Sequence, residues 1–280
     1  LKKVGFIGTG SMGRILVESL LDARAISSDN VIVMNRTADK AYQLASSYPG
    51  LKVVHDPRAI VTECSWIFLC VKPLQMFPVI KRVNDLLDRR KTLISITSPV
   101  LTDELEEISD CQVVRFIPSI VNRAMEGPSL VTFGEKVEET NKQELLRFFS
   151  TISRPQMIGN GITRIASDLA SCGPAFISYL VEKMIKSAVE ETDIKEDEAI
   201  RITESMLIGY GELLKRKHFT LETLRKRVTV PGGVTGAGLE VLRDEIGDQF
   251  NLLFRRTHEK YAEDRQLVCR QIKEKEKSKD

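Results

Sequence analysis

Two glycine-rich stretches carry residue types able to hold a small charged ligand: "GFIGTGSMG" near the start and "VTVPGGVTGAG" at residues 228–238. In the first, Gly8, Gly10 and Gly13 form a G-x-G-x-x-G pattern. A lone match is weak. This one follows a strand candidate, "KVGFI", and opens a helix candidate, "SMGRILVESLLDAR", which is the context a dinucleotide site requires. Gly8 then permits the tight turn, Gly10 lets backbone approach a pyrophosphate, and Gly13 lets helix and strand pack closely. Ser11 and Met12 begin the helix, where free N–H groups and positive potential face a phosphate. The alternative is a purely structural glycine turn. The second stretch has no charged side chain. Its Gly232-Gly233 turn ahead of a helix offers backbone N–H donors without a bulky wall, which suits the carboxylate of a small substrate. Thr235 is its polar handle; the competing role for Thr235 is an ordinary helix N-cap.

The residues after the second strand, "MNRTADK", choose between dinucleotides. An NAD site usually has Asp or Glu there to accept from the ribose hydroxyls. Here Asn35, Arg36 and Thr37 stand instead, and Asp39 lies too far past the strand end. Arginine gives a 2′-phosphate a fork of charged donors. NADPH is therefore favoured over NADH, the alternative being that Arg36 is merely exposed at a loop. "FLCVKPLQ" ends the fourth strand with Val71, Lys72 and Pro73, facing the ligand crevice of a doubly wound sheet. Ser98, Pro118, Ser119 and Asn122 end two further strands and are candidates for the nicotinamide end. Taken singly, each fits a plain strand-to-loop role equally well.

The elements that position these residues divide the chain in two. Over 1–160, strand candidates "KVGFI", "VIVMN", "LKVV", "WIFLCV", "TLISIT", "VVRFI" and "SLVTF" alternate with helical stretches. That spacing implies an α/β Rossmann domain with a mainly parallel, doubly wound sheet. Over 161–280 the alternation stops, and long helical stretches imply an all-α domain. "KEDEAIRITESMLIGYGELLKRK" opens with acids that favour the helix dipole, and Thr220 is an N-cap three residues before Thr223. "LEVLRDEIGDQFNLLFRRTHEKYAEDRQLVCRQ" reads as one long final helix, followed by a solvated, frayed charged tail, "KEKEKSKD". "AFISYLVEKMI" and "FNLLF" are more apolar than a lone helical layer needs, and a second copy could cover them.

With 280 residues, 42% hydrophobic and 29% charged, the composition is that of a soluble protein of two domains. A net charge of +2 gives no general electrostatic case for nucleic acid or membrane. No apolar run reaches the roughly 18 residues of a membrane span, and no signal peptide is visible. Cys64, Cys70, Cys111, Cys172 and Cys269 form no close pair, and His55, His218 and His258 lie far apart. No metal site is expected, and reduced thiols fit a cytoplasmic protein.

The glycine loop, "NRT", "VKP", "IPS", "CGPAF" and "VTVPGGVTGAGLEVL" occur in one order over essentially the whole chain. Together they resemble the pyrroline-5-carboxylate reductase family, closest to its ComER branch, named for late competence. The resemblance implies reduction of a cyclic imine to L-proline with NAD(P)H. It also implies a Rossmann domain, a helical domain that interlocks with a second subunit, and an active site between them. Carried over by motif, Gly233, Val234 and Thr235 would hold the substrate, with the Thr235 hydroxyl near the imine nitrogen. A protonated imine accepts hydride readily, which fits a loop without His, Asp or Glu. Val230 stands where the family commonly has Ser or Thr, and a valine cannot donate to a carboxylate. It motivates a second reading, an NADP(H)-binding regulator with weakened catalysis. A β-hydroxyacid dehydrogenase would need a lysine near "DLASCGPAF"; Lys183 and Lys186 lie further along. Cys172, in the family's serine position, is read as filling space at a buried helix start.

Overall fold

The computed structural model describes residues 2–276; of the charged tail, residues 277–280 lie outside them. The first part alternates strand and helix: β1 (Val4–Ile7), α1 (Ser11–Asp22), β2 (Val31–Met34), α2 (Ala38–Ser47), β3 (Lys52–Val53), α3 (Pro57–Glu63), β4 (Trp66–Leu69), α4 (Pro73–Val83), β5 (Thr92–Ser95), α5 (Thr102–Glu106) and β6 (Gln112–Ile117). Next come β7 (Pro128–Phe133), α6 (Glu139–Phe149) and β8 (Arg154–Met157). The sheet order is β3-β2-β1-β4-β5-β6-β7-β8. Pairs from β3 through β6 are parallel, β7 runs antiparallel to β6, and β8 is parallel to β7. Chain order reverses between β1 and β4, so the ligand crevice of this Rossmann topology lies beyond their carboxyl ends.

The strands are apolar on both faces because helices cover both. β1, β4, β5 and β6 are buried at every position. One side packs Val4, Phe6, Phe68 and Phe116 with α1 and α6; Phe6 stacks on Phe68 at 4.7 Å between centroids and Phe116 on Phe149 at 4.1 Å. The other side packs Ile7, Ile67, Leu69 and Leu93 with α3, α4 and α5. Strand β8 has no counterpart among the apolar runs of the sequence. "RPQM" is mostly exposed at the sheet edge, where a proline costs no ladder bond.

Helices follow: α7 (Thr163–Ser167), a π-helical turn at Asp168–Cys172, α8 (Gly173–Glu191), α9 (Glu196–Lys215), α10 (Leu221–Val228), α11 (Val234–Ile246) and α12 (Gln249–Glu276). The first turn of α9 is acidic, and Thr220 Oγ1 accepts from the Thr223 N–H at the start of α10. The single long final helix expected from the sequence is two helices. Gly247 takes φ +43, a backbone conformation that side chains resist, and the chain breaks there.

The chain divides into two compact units, residues 1–174 with 256–280, and residues 175–255. Where the sequence set a boundary at 160, the first unit thus runs on through the π turn and includes all of α12 but its first seven residues. In the second unit only Ala199 and Thr203 are buried. No helix among the described residues is long and apolar enough to cross a membrane.

Candidate active site

At the carboxyl end of β1 the three glycines have separate jobs. Gly8 takes φ +107, and a Cβ there would lie 2.5 Å from the Cys70 carbonyl oxygen. A Cβ on Gly13 would lie 2.2 Å from the Gly8 carbonyl oxygen and 2.9 Å from Cys70 Cβ. Both are required by packing between β1, α1 and β4. Gly10 meets nothing within 4 Å, so its lack of a side chain serves no neighbour in the chain. It is the N-cap of α1, has no capping side chain, and no acid occupies the first turn. The helix therefore starts with unsatisfied N–H groups and positive potential at an open surface, with Ser11 exposed and Met12 half-buried. The Thr9 hydroxyl beside it is buried with no hydrogen-bond partner. An open backbone cradle, an orphaned hydroxyl and an uncapped helix start fit a dinucleotide pyrophosphate.

Asn35 is tied to this loop rather than turned outward. Its Oδ1 accepts from the Thr9 N–H at 3.0 Å, and its Nδ2 donates to the Thr37 carbonyl at 2.9 Å. Arg36 and Thr37 are exposed. Val71 lies against the loop, where a Gly8 Cβ would meet its Cγ1 at 3.2 Å. Lys72 is exposed as the N-cap of α4, and Pro73 takes the first helical position, where a missing N–H costs nothing. Burial pushes the Cys70 thiol far above its ordinary pKa, so it stands here as a neutral wall.

Ser98 follows β5. Its carbonyl accepts from Arg115 Nη1 at 3.4 Å and from the Tyr261 hydroxyl at 3.3 Å. Arg115, in the middle of β6, is 1% exposed, and Nη2 donates to Thr132 Oγ1, Asn160 Oδ1 and Thr163 Oγ1. Among the described residues it pairs with no carboxylate, and burial pulls its pKa down from the ordinary guanidinium value. Pro118 and Ser119 end β6 and are buried; the Pro118 carbonyl accepts from Ser171 Oγ at 2.8 Å, and Ser119 Oγ has no partner. Asn122 is occupied by the loop: its Oδ1 accepts from the Ser119 N–H, and its Nδ2 donates to the Glu126 and Pro128 carbonyls. The structure thus brings the first loop, Asn35 and Val71 together, and fixes Ser98 and Pro118 at the neighbouring strand ends. Cys172 is half-buried in the π turn and accepts from Arg164 Nη2 at 3.4 Å, a polar setting rather than the space-filling one expected.

The late stretch folds as a turn on a helix. The Gly233 N–H donates to the Val230 carbonyl at 3.0 Å across Pro231 and Gly232, and Gly232 has φ +73. Proline followed by a positive-φ glycine is the signature of a type II turn. Gly233 is the N-cap of α11, with no capping side chain and no acid in the first turn. Thr235 is inside that first turn, so the N-cap role considered for it belongs to Gly233. The first N–H groups of α11 have no side-chain cap, and Val234 and Thr235 are exposed. Val230 leans over the turn: a Cβ on Gly233 would lie 2.7 Å from Val230 Cγ2.

Comparison with known proteins agrees with both halves. The model for pyrroline-5-carboxylate reductase dimerisation matches residues 162–264, and that for NADP oxidoreductase, coenzyme F420-dependent, matches residues 3–99. ComE operon protein 4 of Bacillus subtilis is 45% identical over 96% of this chain and 99% of its own length. Pyrroline-5-carboxylate reductase 3 of the same bacterium is 31% identical over 93% of this chain and 96% of its own. The chain belongs to the pyrroline-5-carboxylate reductase family. It is an NAD(P)-dependent oxidoreductase of pyrroline-5-carboxylate reductase type. The fold is shared with the Plasmodium falciparum pyrroline carboxylate reductase solved with NADP bound, at a TM-score of 0.80 and 22% identity over 95% of this chain and 98% of that one. The Coxiella burnetii reductase gives 0.82 at 22% identity over the same shares.

Within this reductase chain, three residues near the strand ends escaped motif reading. Arg115 is the single charged residue in "QVVRFI", a signal that was available. Asp168 has a fully buried side chain and accepts from Arg164 Nη2 at 2.9 Å and Thr257 Oγ1 at 2.7 Å. It begins the π turn, an irregularity common at functional sites. Tyr261 meets Ser98 across 163 positions of sequence, and no local pattern announces it.

Proposed function

We propose that the protein reduces the C=N bond of a small cyclic imino acid, L-proline or a close analogue being the product, with NADPH as the preferred reductant. The observation that carries the reading is the late turn: a charge-free Pro-Gly-Gly corner on an uncapped helix, in a chain whose first loop already accounts for a pyrophosphate. The N–H groups at the start of α11, from Val234 and Thr235, are donors for the substrate carboxylate. Gly232 and Gly233 keep the approach free of side chains. Bound NADPH would supply a hydride to the imine carbon. A proton already on nitrogen makes that carbon electrophilic, and the Thr235 hydroxyl orients the nitrogen. The amine product keeps that proton, so no strong acid is required of the protein. This is positioning chemistry, in which the residues orient and the cofactor reacts.

Arg36 supports the choice of NADPH. It is exposed just beyond β2, where no acid stands to accept from a ribose 2′-hydroxyl, and among the described residues no hydrogen bond or ion pair occupies it. Lys72 and Ser98 border the nicotinamide side of the same crevice. Two copies cover the apolar surfaces of the helical unit, giving a homodimer. Five free thiols accord with a reducing, cytoplasmic setting.

The test mixes purified protein with NADPH and pyrroline-5-carboxylate and follows nicotinamide absorbance. Oxidation dependent on the imine is expected. Its absence, with NADPH binding confirmed, contradicts the assignment.

A further inference from the structure

All but the first seven residues of α12 belong to the first unit, and they grip the strand ends there. Thr257, Tyr261, Arg265, Val268 and Ile272 recur at steps of four or three, so they share one helix face. Arg265 Nη1 donates to both Glu104 carboxylate oxygens at 2.7 Å and to the Pro99 carbonyl at 2.9 Å. Glu104 in turn accepts from the Leu101 N–H at 2.8 Å, so the whole turn from β5 into α5 is clamped. The Tyr261 hydroxyl donates to the Ser98 carbonyl. Val268 is fully buried as part of the core cluster that includes side chains of α3, α4 and α5, and Gln271 Nε2 donates to the Leu74 carbonyl at 2.9 Å, one residue past Pro73. Thr257 holds Asp168 at the π turn, whose Ser171 holds Pro118. One helix face thus reaches the loops after β4 and β5 directly, and the loop after β6 through the π turn. The match to the family's dimerisation domain ends at residue 264, so Arg265, Val268 and Gln271 lie past the part that it accounts for.

We propose that residues 257–272 form a positioning strap, in which Tyr261 and Arg265 set the Ser98–Pro99 turn and through it the nicotinamide end of the cofactor site. This rests on the dinucleotide reading given above. Tyr261, Arg265 and Gln271 reach Ser98, Pro99, Glu104 and Leu74, at the strand ends away from the glycine loop, Asn35 and Arg36, so the adenosine end of the cofactor is outside their reach. Neither is offered as a catalytic residue: Tyr261 acts through the Ser98 carbonyl, and Arg265 through the Pro99 carbonyl and the Glu104 carboxylate.

Adenosine 2′,5′-bisphosphate probes the adenosine end alone, and NADPH probes both ends. Titration of the full chain with each, reading affinity and the fluorescence of bound NADPH, separates them. Arg265→Ala is expected to weaken NADPH about tenfold, the equivalent of one hydrogen bond lost, and to return its nicotinamide fluorescence toward the free value. The bisphosphate affinity is expected to stay within about twofold, well under the 1.4 kcal/mol of a tenfold change. Arg265→Lys is expected to recover part of the loss. Tyr261→Phe keeps the ring in place and tests the contact even if Arg265→Ala folds poorly; a smaller shift in the same direction supports the strap. Equal loss of both probes, or no change in either, overturns it. If the unaltered chain binds neither probe, the dinucleotide reading falls and the strap with it; if it binds both and the variants match it, only the strap falls.

Discussion

The two units differ in what holds them together. The first buries a sheet on both faces, with Phe6, Phe68, Phe116 and Phe149 at or below 1% exposure. The second has 81 residues between Ala175 and Arg255 and buries only Ala199 and Thr203, while Ile202, Ile208, Val234 and Val241 are 63%, 72%, 91% and 62% exposed. An α/β layer with its own core is stable as a single copy. A helical layer without one needs another surface to cover it. The glycine loop after β1 sits on the self-sufficient part, and the Pro-Gly-Gly turn proposed to hold the carboxylate on the part that depends on cover. Cofactor binding should therefore depend on the first core and little on association, while substrate handling should depend on both.

This contrast can be broken in order of effect. Phe68→Ala opens the first core and is expected to cost about 3–5 kcal/mol, independent of protein concentration; thermal unfolding at two concentrations checks it. Ile208→Glu puts a charge on the exposed face of α9, and is expected to remove about 1.5–3 kcal/mol of burial per copy. Light scattering should show a shift toward monomer, with the unfolding of the first unit unmoved; an unchanged dimer would show that the cover lies elsewhere. Arg36→Ala should leave folding and association alone, weaken NADPH by about tenfold or more through loss of a charged hydrogen bond of about 1.5–3 kcal/mol, and leave NADH unchanged. Equal loss for both cofactors would contradict the 2′-phosphate assignment.

How far the sequence went follows the same division. The apolar runs of β1, β4, β5 and β6 are strands covered on both faces, and such runs declare themselves without a partner element. The glycine loop was legible because three glycines at fixed spacing are demanded by two backbone approaches and one opening. Strand β8 was not, since its order comes from pairing with β7 and not from "RPQM" itself. The break at Gly247 was hidden because apolar spacing continues on both sides of it. Arg115 stood out as a charge inside an apolar strand, but Tyr261 meets Ser98 across 163 positions, which no local spacing records. The late turn was legible as a turn, but Gly233 rather than Thr235 proved to be the N-cap, two residues earlier, where the Val230–Gly233 hydrogen bond closes the turn.

Two loops, one from each unit, are proposed to hold two different ligands. Steady-state kinetics of Gly10→Ala and Thr235→Ala, varying NADPH and pyrroline-5-carboxylate in turn, test this most directly. Gly10 has room for a methyl group and Thr235 is exposed, so both variants should fold. The expected result is a split: Gly10→Ala raises KM for NADPH and spares that for the imine, and Thr235→Ala lowers kcat/KM for the imine by about tenfold and spares NADPH binding. Parallel loss of both parameters in both variants, or loss of NADPH binding in Thr235→Ala, would contradict it.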